Sequence, residues 1–183
     1  MSADGLDDSM AADHPTGSPE ALTAGDKAVY PGHGPCDVGR VVNRLVDGRL
    51  MTFYHLTVLD DSGGELFVPV EKARATGIRS LMKKSEIPRL LDHLKKSAKA
   101  ADNWKERATD NMKLFATGSA FDLAEIIASL TELSDRRSLT LGESGTLGRA
   151  KRLLICEISE VTGETKVAVE EQIDHALRAP KRN

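Results

Sequence analysis

The glycine-rich stretch "GHGPCDVGRV", residues 32–41, is the first place in this chain where residue types and spacing suggest chemistry. Gly34 and Gly39 stand at the G-x-x-x-x-G interval of a phosphate-cradling loop, but Arg40 and Val41 follow where such a loop needs Lys and Ser or Thr. A valine-rich segment comes next, whereas a phosphate site needs the N-terminus of a helix. The expected role is therefore a turn between two strands. No Ser, Cys or carboxylate is fixed beside His33 by spacing, so a general-base constellation is not specified. Cys36, in the same loop, stays open as a nucleophile. Cys36 and Cys156 make no CxxC pair, and together with the five histidines they show no zinc-ligand spacing. These patterns lead to the expectation of a non-enzymatic protein without metal or cofactor, kept reduced in the cytoplasm.

A second group of residues points to binding. Lys95, Lys96, Lys99, Lys105, Arg107 and Lys113 fall within nineteen residues, and the only tryptophan, Trp104, lies among them in "AADNWKERATDNMK". A charge run is often just a solvated helical face. Nucleic-acid binding needs cations for phosphates and also a group that reads bases or shape. An exposed Trp supplies that group when it enters a minor groove as an apolar wedge. The alternative is a Trp turned inward to anchor a small core. Its polar neighbours leave both readings open, and residues 104 and 107 share a helical face by the three-residue rule.

The chain that must position these groups has 183 residues, enough for one large domain or two small ones. Apolar residues make up 40% but aromatics only 4%, so the core must be aliphatic. The net charge of −3 hides a polarity along the chain. Residues 1–26 carry six acids and no Lys or Arg, while residues 83–113 carry nine bases and five acids. No run approaches 18 apolar residues, and the N-terminus lacks a basic segment followed by an apolar one. A soluble, unexported protein is expected.

Residues 1–24 are read as a disordered acidic tail. "KAVY", "VGRVV", "MTFYHLTVL" and "ELFVPV" are then strand-like runs separated by Gly- and Asp-bearing turns, which suggests a small antiparallel barrel over residues 25–78. Alternation puts Tyr54, Leu56 and Val58 on one face of their strand. Pro69 marks an edge or a bulge. Residues 79–183 are expected to form a helical bundle. Ser85 would cap its first helix, Asn103 to Thr117 would form the second and stop at Gly118, and Ser119 would cap the third. A fourth would run through "ESGTLGRAKRLLICEISEV" to Gly163, and Thr165 would start a short last one. The predicted class is α+β: an SH3- or Tudor-like barrel followed by a compact all-α bundle.

"GDKAVYPGHG" at 25–34, "VGRV" at 38–41, "FVPVEKARATGIRSLM" at 67–82, "NWKERATDNMKLFATGSAFDLAEIIASL" at 103–130 and "LTLGESGTLGRAKRLLICEIS" at 139–159 occur in the order found in a known family. The chain resembles the CarD/CdnL-like bacterial transcription regulators over roughly residues 25–178. That resemblance implies a Tudor-like barrel docking on the RNA polymerase β subunit and a helical domain meeting promoter DNA. Trp104 matches the family's minor-groove wedge, which stabilises the open complex. Arg107 matches a basic residue that follows it, with Lys105 adjacent and Met112 and Leu141 as apolar neighbours. Arg44, Phe67 and Pro69 match the polymerase-facing surface. A cytoplasmic monomer with no membrane partner is expected. Three departures stand out: Pro35, Cys36 and Asp37 interrupt the first motif, Glu106 replaces an arginine, and Thr109 stands at a later basic site. A carboxylate among phosphate contacts repels, so weakened DNA affinity is expected. The alternative is a protein–protein module that binds polymerase without engaging DNA.

Overall fold

The computed structural model describes residues 22–60, 62–96 and 102–180, so most of the expected acidic tail, and Lys99, lie outside the described residues. Residues 22–24 of the expected tail are among those described. Leu22 packs against the sheet core, and Thr23 closes a small turn by donating its backbone N–H and hydroxyl to Asp26.

Strands β1 (Lys27–Tyr30), β2 (Gly34–Val46), β3 (Arg49–Val58), β4 (Glu65–Pro69) and β5 (Arg79–Ser80) form one antiparallel sheet in the order β4-β3-β2-β1-β5. The α+β plan is present, but the sheet is not closed: β4 and β5 are its two edges, where a closed barrel was expected. Pro69 does lie on an edge strand, as a residue without a ladder donor should. β5 carries the sheet two residues past the expected domain boundary at 78.

The turn after β1 is shorter than the sequence suggested. Pro35, Cys36 and Asp37 are strand residues, facing Val29, Ala28 and Lys27 across the ladder. The inserted triplet therefore extends β2 rather than enlarging a loop. On β3, Tyr54, Leu56 and Val58 are all buried, as alternation required. A register shift between Val38 and Val41 changes what the rest of β2 does. There Gly39 lies so close to His55 that a Cβ would sit 3.1 Å from its carbonyl oxygen. Beyond this bulge the β2–β3 hairpin leaves the core, leaving Val41, Leu45, Val46 and Leu50 exposed. Asp47 and Gly48, both at positive φ, close it with the backbone handedness that a two-residue hairpin turn demands.

After a short helix, α1 (Val70–Ala73), the chain crosses to the helical half: α2 (Ile87–Leu94), α3 (Trp104–Thr117), α4 (Ala120–Arg136), α5 (Leu141–Thr162) and α6 (Lys166–Arg178). Caps at Ser119 and Thr165 and left-handed stops at Gly118 and Gly163 fall where the sequence put them, and Asn103, expected as the start of the second helix, is its cap. Ser85 is not a cap; it lies inside a 3-10 turn whose entry is fixed when Glu86 accepts the Lys83 N–H at 2.8 Å. Leu90, Leu94, Ile126, Ile127, Leu130, Leu154, Ile158 and Ile173 fill the aliphatic core.

The two halves meet along α5. The Glu157 carboxylate, 1% exposed, accepts from two nitrogens of Arg79 at 2.7 and 2.8 Å and from the Met82 N–H at 2.9 Å. Arg79 also donates to the Gly118 carbonyl at the end of α3. Lys27 reaches Glu160 at 2.5 Å, and Arg149 reaches the Gly32 carbonyl at 2.9 Å. The crossover is thus tied down on both sides.

Candidate functional site

The site in the helical half begins with a cap. Asn103, in extended backbone, accepts the Lys105 N–H at 3.0 Å, which starts α3 at Trp104. A ring on the first residue of a helix projects beyond the packed turns, and Trp104 is 63% exposed. Lys105 Nζ lies 5.6 Å from the ring centroid. Trp104 is therefore not a core anchor. Leu141 is equivalently placed as the first residue of α5 and is 93% exposed; Met112, two turns along α3, is 71% exposed. Glu106 is also exposed, and Thr109 turns its hydroxyl onto the Lys105 carbonyl at 2.9 Å.

Arg107 departs from expectation. One turn beyond the tryptophan, it is 7% exposed and points inward rather than sharing a groove with the ring. Its Nε and one terminal nitrogen donate to Glu143 Oε1 at 3.1 and 2.8 Å, and the other donates to the Asp102 carbonyl at 2.7 Å. Sequence spacing put residues 104 and 107 on one face; a fixed carboxylate on α5 decided where the guanidinium went.

Glu143 is the hub that sequence reasoning missed. Besides Arg107 it accepts two bonds from Arg137, at 3.0 and 2.8 Å, and the Thr140 N–H at 2.9 Å. Thr140 returns a bond, accepting the Glu143 N–H at 3.2 Å. The signal that could have found it is the T-x-x-E capping box "TLGE" ahead of an apolar run. One carboxylate thus joins the first turn of α3, the C-cap of α4 and the first turn of α5. Its hydrogen bonds to Arg137 first, then those to Thr140 and Arg107, hold its pKa at about 2 against the opposing effect of burial. The result is a rigid end to the helical half, from which Trp104 and Leu141 both project.

The sheet half carries a second candidate surface. The Arg44 guanidinium lies 3.7 Å from the Phe67 ring centroid, across β3. His55 stacks on Phe67 at 4.8 Å with 9° between the rings, and its Nε2 lies 3.3 Å from Glu65. Pro69, two residues along β4 from Phe67, shares its face and pairs with Phe53. The three expected residues are therefore grouped at the β4 edge, with Arg44 and Phe67 in contact. Of the exposed apolar residues of the β2–β3 hairpin, which were not anticipated, Val46 shares this face, whereas Val41, Leu45 and Leu50 lie on the opposite one.

Cys36 is fully buried, and burial pushes its thiol up to about 11. Among the described residues no group of three or more His, Cys, Asp or Glu side chains could hold a metal ion. None of the described helices is long and apolar enough to cross a membrane.

Comparison with protein families matches each half. Residues 22–82 fit the family model described as the CarD-like/TRCF RID domain, which spans the whole sheet and its crossover. Residues 89–174 fit the model of the CarD C-terminal domain, which includes Trp104, Arg107 and Glu143. With both models matched in order over most of its length, the chain belongs to the CarD-like family of RNA-polymerase-interacting transcription factors.

Proposed function

We propose that this chain docks on the RNA polymerase β subunit through the Arg44–Phe67–Pro69 edge and stabilises the open promoter complex by inserting Trp104 into the DNA minor groove. It does so without catalysis, as a monomer in the cytoplasm. The observation that carries the reading is the exposed Trp104 ring at a braced helix end. An apolar wedge must unstack a base step, which costs a few kcal/mol; a ring on a frayed helix end would yield instead of the DNA. Leu141 and Met112 add apolar surface nearby, and Lys105 supplies a cation for a phosphate. Arg107 acts in this reading as a positioning residue, not as a phosphate contact.

A second reading is favoured by a specific observation. Glu106, two residues beyond Trp104, is exposed, and Arg107 is committed to Glu143, so the α3 terminus offers DNA little positive charge. Under that reading the chain binds polymerase and leaves DNA alone. A pull-down with purified polymerase followed by footprinting on a promoter separates the two. The proposal expects co-purification of the β subunit and protection at the upstream edge of the melted region. Arg44→Glu should abolish the pull-down in a folded protein, since like-charge juxtaposition at an interface costs several kcal/mol. Binding without any change in footprint would select the second reading.

A further inference from the structure

A cleft of about 610 Å³ opens between the sheet and α5 and α6, and its lining includes none of the residues proposed to contact polymerase or DNA. Val58, Asp60 and Leu66 contribute to the sheet wall; Arg149, Arg152, Leu153 and Lys166 contribute to the helical wall. With Lys151 paired to Asp174, three cations, Arg149, Arg152 and Lys166, face two carboxylates, Asp60 and Glu170, so the lining carries a surplus of one positive charge over an apolar floor. The surplus comes from "GRAKR", residues 148–152, a part of α5 with no acid between Glu143 and Glu157. Arg149 donates to the Gly32 carbonyl and Lys151 to Asp174, interactions that hold both side chains at the rim.

We infer that the occupant of this cleft is the chain's own acidic N-terminal segment, residues 1–21. That segment carries Asp4, Asp7, Asp8, Asp13 and Glu20 with no Lys or Arg, and it sets Leu6 and Met10 among the carboxylates. Its chemistry matches both parts of the lining, carboxylates for the guanidinium and ammonium groups and apolar side chains for Val58, Leu66 and Leu153. Its point of attachment is also favourable. Leu22, where the described chain begins, packs against the same sheet cluster that contains Val58 and Leu66. The sixteen peptide steps from Leu6 to Leu22 reach up to roughly 50 Å when extended, so tether length does not prevent docking.

The rival surface at the Trp104 end is less complementary. There Arg107 and Arg137 are both engaged by Glu143, Lys113 lies 3.5 Å from Asp110, and Glu106 adds exposed negative charge. A segment seated in the cleft would touch both halves and brace the polymerase-facing sheet against the Trp-bearing helices. Tethering raises the local concentration of the segment, so a weak contact suffices.

The test uses the full chain with a nitroxide on Ser9→Cys, since Cys36 and Cys156 are both buried. The inference expects selective loss of the Leu66, Arg152 and Lys166 amide signals in nitrogen-15 spectra. The signals should return when Asp4, Asp7, Asp8 and Asp13 are all changed to Asn, a change outside the described fold, and also with Arg152→Glu. They should likewise return near 1 M salt, where the screening length falls to about 3 Å. Signal loss centred on Trp104 and Lys105, or no selective loss, would overturn it. So would loss that appears only when labelled chain is mixed with separate nitrogen-15 chain, which would assign the contact to a second copy.

Discussion

Arg79 and Arg107 are both arginines that a charge count assigns to the surface, and both are spent inside the molecule on a glutamate of α5. Their settings differ. Arg79 meets a Glu157 side chain that is 1% exposed and is itself 27% exposed, at the seam between the halves. Arg107 meets a Glu143 side chain that is 12% exposed and is itself 8% exposed, at the free end of the bundle. In the first pair the acid is sealed and the base reaches in from the rim; in the second the base is sealed and the acid is shared with Arg137. The first pair fixes how two domains sit together. The second fixes where a few exposed apolar residues point. Similar chemistry therefore serves architecture in one place and aim in the other.

The largest effect should come from breaking the seam. Glu157→Ala leaves Arg79 and the Met82 N–H without their shared acceptor, and breaking a buried pair of this kind costs about 3–5 kcal/mol. Denaturant melts should show that loss, and limited proteolysis should cut the crossover between residues 76 and 86 faster than in the wild type.

Next in size is the loss of the hub. Glu143→Ala removes charged acceptors from Arg107 and Arg137 and should cost about 2–3 kcal/mol. The wild-type contribution has a defined pH window. With the carboxyl held at about 2 against an ordinary value of 4.5, the stabilisation is full above the ordinary value and is lost as pH falls through about 2. Glu143→Gln should flatten that part of the acid-unfolding curve. An unchanged curve would mean that the hub does not tie the helix ends.

How much of this was legible in the sequence follows from the range of the forces involved. Helix boundaries set by local caps, at Asn103, Gly118, Ser119, Gly163 and Thr165, could be read directly because the bond that sets each one spans only a few residues. The inward face of β3 could be read for the same reason. The start of β2 could not, because Pro35, Cys36 and Asp37 look like a loop until β1 pairs with them. Arg107 was misplaced because its partner is 36 positions away. The grouping of Arg44 with Phe67 came from the family resemblance, and its geometry depends on β3 lying between them. Closure of the barrel was overestimated, since strand count and spacing do not specify whether the last strand meets the first.

A smaller effect should sharpen the contrast at the helix end itself. Asn103→Ala removes the cap that starts α3 and should cost about 1 kcal/mol, while Asn103→Asp should retain most of it. If the aim of Trp104 depends on that cap, Asn103→Ala should shorten open-complex lifetime more than its modest stability loss explains.

The smallest effect on stability should accompany the largest effect on function, at Trp104. Because the ring is 63% exposed, Trp104→Ala should leave the melting free energy within about 0.5 kcal/mol of wild type. A buried Trp would cost about 3–5 kcal/mol. The direct test is the lifetime of the open complex on one promoter, measured with wild-type protein and Trp104→Ala from parallel preparations whose melts coincide. The account predicts that the wild type prolongs the lifetime and that the variant, though folded and still bound to polymerase, does not. An equal lifetime with both proteins would contradict it.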